Sequence, residues 1–104
     1  MSTIKDLTTE TFDEAINSST HTVVVDFYAD WCMPCKMIVP VLERVAAENK
    51  DTVVVYKVNI DEHGDIAQRY SVTSIPYVIS FRNGEKYKQV VGAQGLDAFL
   101  DLIQ

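Results

Sequence analysis

The stretch Val23-Val24-Val25-Asp26-Phe27-Tyr28-Ala29-Asp30-Trp31-Cys32-Met33-Pro34-Cys35-Lys36 decides how the rest of the chain is read. Its first half belongs to a β-branched and aromatic run, Thr22–Ala29, which predicts a strand buried on both faces. Its second half opens a helix. From Pro34 to Asn49, the residues Met37, Ile38, Val41, Leu42, Val45 and Ala46 recur at helical spacing. Pro34 suits the first turn of that helix, where a missing N–H costs nothing. Two thiols with two residues between them therefore stand where a buried strand hands over to a helix. One disulfide can open or close there with little backbone motion.

Outward from that junction, elements alternate. Thr9–Ile16 reads as a short helix, with Thr8 or Thr9 as its cap and acids in its first turn. Val53–Val58 is a second buried strand, and Asp61–Tyr70 a weaker helix interrupted by Gly64. Tyr77–Phe81 and Lys86–Val91 flank Arg82-Asn83-Gly84-Glu85, a hairpin turn signal. Leu96, Phe99, Leu100 and Ile103 mark a final amphipathic helix. Counting a short strand at Thr3–Asp6, the order is β-α-β-α-β-α-β-β-α. An α/β fold follows, with a central mixed sheet of four to five strands flanked by four helices. Two crossovers make the early strands parallel, and the terminal hairpin is antiparallel.

Bulk composition narrows the function classes. A chain of 104 residues is expected to form one domain, 1–104, that buries about two-thirds of its unfolded surface. Fifteen acids against nine bases, net −6, are spread along the chain, which argues for solubility and against nucleic acid as a partner. Two cysteines are no disulfide framework. Met1-Ser2-Thr3-Ile4-Lys5-Asp6 lacks the apolar stretch of a signal peptide, and no apolar run approaches the ~20 residues of a membrane span. A cytoplasmic monomer without a membrane partner is the expectation; a processed organellar form would share these features.

Cys32 and Cys35 admit three readings. A structural disulfide around so small a loop adds less stability than one closing a long loop. Zinc needs two further ligands, and the two histidines, His21 and His63, show no paired ligand spacing. The redox reading has a local physical basis. Cys32 stands at a helix N-terminus, where free N–H groups and the positive dipole end favour a thiolate. Cys35, one turn inside and more buried, stays protonated until it resolves a mixed disulfide. Lys36 either adds positive charge or is a solvated helix residue.

Asp26 interrupts an apolar strand, where a carboxylate is expensive unless protonated or paired. It is either a strand-end acid reaching solvent or a buried acid with a raised pKa, exchanging a proton with Cys35 through water. Lys57, at the end of the neighbouring apolar strand, is its partner or snorkels to the surface. Pro76, before a strand, cannot donate to a ladder. Trp31, Pro34, Ile75, Pro76, Gly92 and Ala93 would form a flat apolar rim around the thiols, a surface suited to protein partners. Trp31 could instead be core, and Gly92 could merely relieve a turn. Pro40 removes the bond to the Lys36 carbonyl and should kink its helix.

Phe27-Tyr28-Ala29-Asp30-Trp31-Cys32-Met33-Pro34-Cys35-Lys36 resembles the active-site segment of the thioredoxin family. The likeness extends to Lys57-Val58-Asn59-Ile60-Asp61, Ile75-Pro76, Asn83-Gly84 and Val91-Gly92-Ala93, and covers essentially the whole chain. It implies a thioredoxin fold and a cis bond at Pro76, which would place the Ile75 backbone beside Cys32 for a substrate strand. It supports proton exchange between Asp26 and Cys35. It also implies protein-disulfide reduction with no bound cofactor and no metal, since the dithiol carries both electrons. Recycling by a thioredoxin reductase drawing on NADPH is implied too. So are clients such as ribonucleotide reductase, peroxiredoxins and other peroxide-reducing enzymes, and methionine sulfoxide reductase.

The sequence departs from the family in places. Met33 replaces a usual glycine, favouring the helix and adding a soft apolar side chain at the mouth. No histidine follows it, unlike the more oxidising isomerase-type motif, which favours a reductant. Tyr28 stands where a tryptophan is usual, and Tyr77 where a threonine is common. The rivals are a disulfide oxidase or isomerase of the same fold, a redox-independent interaction subunit, and a zinc-binding module.

Overall fold

The middle of the molecule is β2, Thr22–Tyr28, with strand neighbours on both edges. A computed structural model describes residues 4–104. Along the chain run β1 Lys5–Asp6, α1 Phe12–Ser18, β2, α2 Met33–Met37, α3 Val39–Glu48 and β3 Val53–Asn59. They are followed by α4 Gly64–Arg69, β4 Tyr77–Arg82, β5 Glu85–Val91 and α5 Leu96–Asp101. The sheet has five strands in the order β1-β3-β2-β4-β5. β3 lies parallel to both β1 and β2, while β4 runs antiparallel to β2 and β5. The expected mixed sheet is therefore present; Thr3, at the start of the expected first strand, lies outside the described residues.

Alternation along β2 sends its side chains to two separate cores. Val23, Val25 and Phe27 pack with Phe12 and Ile16 of α1, Ile66 of α4, and Ile79 and Phe81 of β4. Val24 faces the other way, onto Ile38, Leu42 and Val45 around α3 and onto Phe99 and Leu102 near α5. In the first core, Phe81 meets Phe12 at 5.8 Å and Tyr70 at 5.3 Å, both edge-on, the preferred aromatic geometry. Asp26 shares the parity of Val24. It thus points into the layer that α2 and α3 cover.

Several boundaries differ from expectation. The helix expected over 34–49 is broken into α2 and α3 next to Pro40, where the sequence places a kink. Pro40 has no N–H for the Lys36 carbonyl, which accepts from Ile38 N–H instead, and the chain turns there. α1 begins at Phe12 because Thr8 and Thr11 bond to each other first: Thr8 N–H donates to Thr11 Oγ1 at 2.9 Å, and Thr11 N–H to Thr8 Oγ1 at 3.2 Å. Thr9 caps nothing, since its hydroxyl donates to Asp65. α4 starts at Gly64 rather than being interrupted by it, because Asp61 N–H is held by the Asn59 side chain. α5 stops at Asp101, and the chain closes in tighter i to i−3 bonds from Leu102 and Ile103. The β4–β5 turn holds Asn83 and Gly84 at φ 55° and 79°, as a hairpin turn demands.

Candidate active site

The end of β2 delivers the cysteines. After Tyr28 the chain leaves the sheet, and Cys32 becomes the N-cap of α2, in extended conformation with its Sγ accepting from the Cys35 N–H at 3.2 Å. Pro34 occupies the first turn, as expected. Cys32 and Cys35 form a disulfide, with Cα atoms 5.3 Å apart. Cys35 is 2 % exposed and Cys32 only 4 %, so in this state the expected difference in accessibility between the sulfurs is small. Ala29, Tyr28, Ile60 and Ile75 pack around the pair.

Asp26 is 2 % exposed, and its Oδ1 has no hydrogen-bond partner. It does not reach solvent as a strand-end acid would. Burial pushes its pKa up from 3.8 to about 7, and the nearby Lys57 charge opposes that rise. A cavity of about 190 Å³ joins Asp26 to Cys35; Tyr28, Asp30, Lys36 and Lys57 also line it. At ~30 Å³ per molecule this is room for several waters. Lys57 is Asp26's register neighbour on β3, but its ion pair runs to Asp6, with Nζ 3.9 Å from Oδ2. Expected as Asp26's partner, Lys57 is thus engaged on its other side. A larger cavity, about 440 Å³, is lined by His21, Lys50 and Val53–Tyr56 and contains none of the expected site residues.

The residues expected to form the rim differ in exposure. Trp31 is 69 % exposed, not core, and its Nε1 donates to Asp61 Oδ2 at 2.9 Å. Met33, Pro34 and Ala93 are exposed; Ile75 and Gly92 are half-buried and Pro76 is buried. The Ile75–Pro76 bond is cis. Gly92 N–H donates to the Pro76 carbonyl at 2.8 Å, which ties the β5 end of the rim to the proline. Gly92 sits at φ 92°, and a Cβ there would meet only Gln94 Nε2 at 3.6 Å. Backbone conformation is what calls for glycine here, not crowding. Among the described residues, Ile75 makes no backbone hydrogen bond.

Sequence reasoning missed three features around the site. Met37 is 66 % exposed one helical turn after Met33, although periodicity assigns it to a core stripe. Asp61 anchors Trp31, and Asp6 gathers Lys57 and the Tyr28 hydroxyl. No local pattern marks Asp6 or Asp61, because each acts on a side chain remote in sequence. Among the described residues, no three His, Cys, Asp or Glu side chains are grouped to hold a metal ion.

Known proteins agree with this architecture. The family model named Thioredoxin matches residues 3–104. A thioredoxin of Chlamydia caviae is 43 % identical over 100 residues, which cover 96 % of this chain and 95 % of that one. A bifunctional thioredoxin reductase/thioredoxin of Mycobacterium leprae is 41 % identical over 95 residues, 91 % of this chain, but the match spans only 21 % of that longer protein. The crystal structure of oxidised mitochondrial thioredoxin 3 from Saccharomyces cerevisiae superposes with a TM-score of 0.87 at 34 % identity, covering 96 % of this chain and 92 % of its own. A match that takes in nearly every residue and a paired Cys-x-x-C at the mouth of the same fold lead to one assignment: the chain belongs to the thioredoxin family of disulfide oxidoreductases.

Proposed function

We propose that the protein reduces protein disulfides, with Cys32 as the attacking thiol and Cys35 as the resolving one. The observation that carries this is the seat of Cys32 at the N-cap of α2, its sulfur accepting a backbone N–H. After reduction the same donor and the helix dipole favour a thiolate at that atom. The thiolate attacks one client sulfur, a mixed disulfide forms, and the other client sulfur leaves as a thiolate. Cys35 gives up its proton, with Asp26 as acceptor through the shared cavity, and attacks Cys32 Sγ. The client leaves with both sulfurs reduced, and Cys32–Cys35 is again a disulfide. Two electrons pass, and no bound cofactor takes part.

The rim of Trp31, Met33, Pro34, Ile75, Pro76, Gly92 and Ala93 is the client-binding surface in this reading. The unengaged Ile75 backbone offers an extended client segment a hydrogen-bonding edge. A thioredoxin reductase using NADPH returns the dithiol, a reading favoured by the relative in which reductase and thioredoxin share one chain. Ribonucleotide reductase, peroxiredoxin and methionine sulfoxide reductase are the client classes, and the setting is a cytoplasmic monomer acting as one domain. Oxidase or isomerase activity is the alternative on the same fold.

The test is reduction of insulin disulfides by dithiothreitol, with and without the protein, followed by titration against glutathione buffers. The protein should accelerate reduction. Cys32→Ser should abolish the effect, and Cys35→Ser should leave a mixed disulfide visible by mass. Acceleration that survives Cys32→Ser overturns the assignment, and a potential well above the cytosolic glutathione poise makes the protein an oxidase instead.

A further inference from the structure

Asp6, Lys57 and Asp26 are register neighbours across β1, β3 and β2, so they stand in one row on one face of the sheet. The lysine in the middle has a carboxylate on either side and pairs with only one. Its Nζ lies 3.9 Å from Asp6 Oδ2. Tyr28, two residues after Asp26 and hence on the same face, sets its ring 5.2 Å from that ammonium and donates its hydroxyl to Asp6 Oδ1 at 2.7 Å. Asp6 therefore uses both oxygens, one to anchor itself and one to hold the lysine. Its side chain is half exposed to solvent, whereas Asp26 is almost wholly buried. Asp26 would have to ionise in the interior to compete.

We propose that Asp6, anchored by Tyr28, is a positioning residue for disulfide exchange: it holds Lys57 toward the sheet edge, so that Asp26 faces the Cys35 cavity without an ion-pair partner. This rests on the proton-accepting role of Asp26 proposed above. Of the other groups around Asp26, Tyr28 and Asp30 come from β2 and the loop after it, and Cys35 and Lys36 from α2. β3 contributes Lys57, whereas α3 presents Val39 and β4 pairs Val78, neither of which titrates. Lys57 is thus the cation that Asp6 controls directly. Released from Asp6, it can approach Asp26 and stabilise its ionised form, which lowers the pH at which the buried acid loses its proton.

The experiment follows the Asp26 carboxyl carbon by NMR through a pH titration of the full chain, in the original protein, Asp6→Asn and Asp6→Glu, beside the pH profile of insulin reduction. In Asp6→Asn the Asp26 midpoint should fall by about one pH unit, and the acid limb of the rate profile should follow it. Asp6→Glu keeps the charge and should restore the original midpoint. Tyr28→Phe removes only the anchor and gives a second route, with a smaller fall in the same direction. A midpoint unmoved or raised in both Asp6→Asn and Tyr28→Phe overturns the positioning role. A midpoint that falls while the rate profile stays put leaves Asp6 as the residue that holds Lys57 from Asp26, but removes Asp26 as proton acceptor and with it the part Asp6 plays in exchange.

Discussion

A single side chain, Asp26, couples reactivity to stability. Its pKa is about 7 in the fold against 3.8 for an ordinary aspartate, because burial penalises the charge. The folded state therefore binds this proton more tightly than the unfolded chain. That contribution is fully present below about pH 4 and is lost as pH rises through the folded value. The interval corresponds to about 4 kcal/mol of stability at high pH. Asp26→Ala should accordingly raise stability in denaturant titrations at pH 8 by a few kcal/mol, show no gain at pH 4, and slow insulin reduction. Equal or lower stability of the variant at pH 8 would count against a buried, unpaired acid. Asp26 was legible in the sequence because a charge inside Val23–Tyr28 has no cheap place to go. Asp6 was not, since its partners are set by strand register and by a hydroxyl on another strand.

Among the elements, the β4–β5 hairpin and the α2–α3 break were readable from local chemistry. Asn83-Gly84 and Pro40 act through backbone torsion and a missing N–H, effects confined to a few residues. The starts of α1 and α4 were not readable, because Thr9 and Asn59 spend their side chains outside a regular cap. Gly84 carries a further constraint: at φ 79°, a Cβ there would also collide with the Asn17 side chain of α1. Gly84→Ala should therefore lower the urea midpoint by at least about 1 kcal/mol equivalent. Adding Asn17→Ala should recover the part due to the collision but not the part due to torsion. A Gly84→Ala protein as stable as the original would contradict both.

For the whole molecule, the sheet divides the interior into two cores that share a floor but not their side chains. Ile79→Val on one face should cost about 0.5–1.5 kcal/mol and Leu42→Ala on the other about 2–5 kcal/mol. Their effects should add to within about 0.5 kcal/mol in equilibrium unfolding, and a larger departure would show the layers to be coupled. The two-faced architecture itself was legible, because strands buried on both sides require helices on both sides. One consequence concerns light rather than chemistry. Trp31 is the sole tryptophan, exposed, hydrogen-bonded to Asp61 and adjacent in the chain to the disulfide. The indole emission of the unlabelled protein therefore comes from one ring at the edge of the exchange site, with no second indole to dilute its signal.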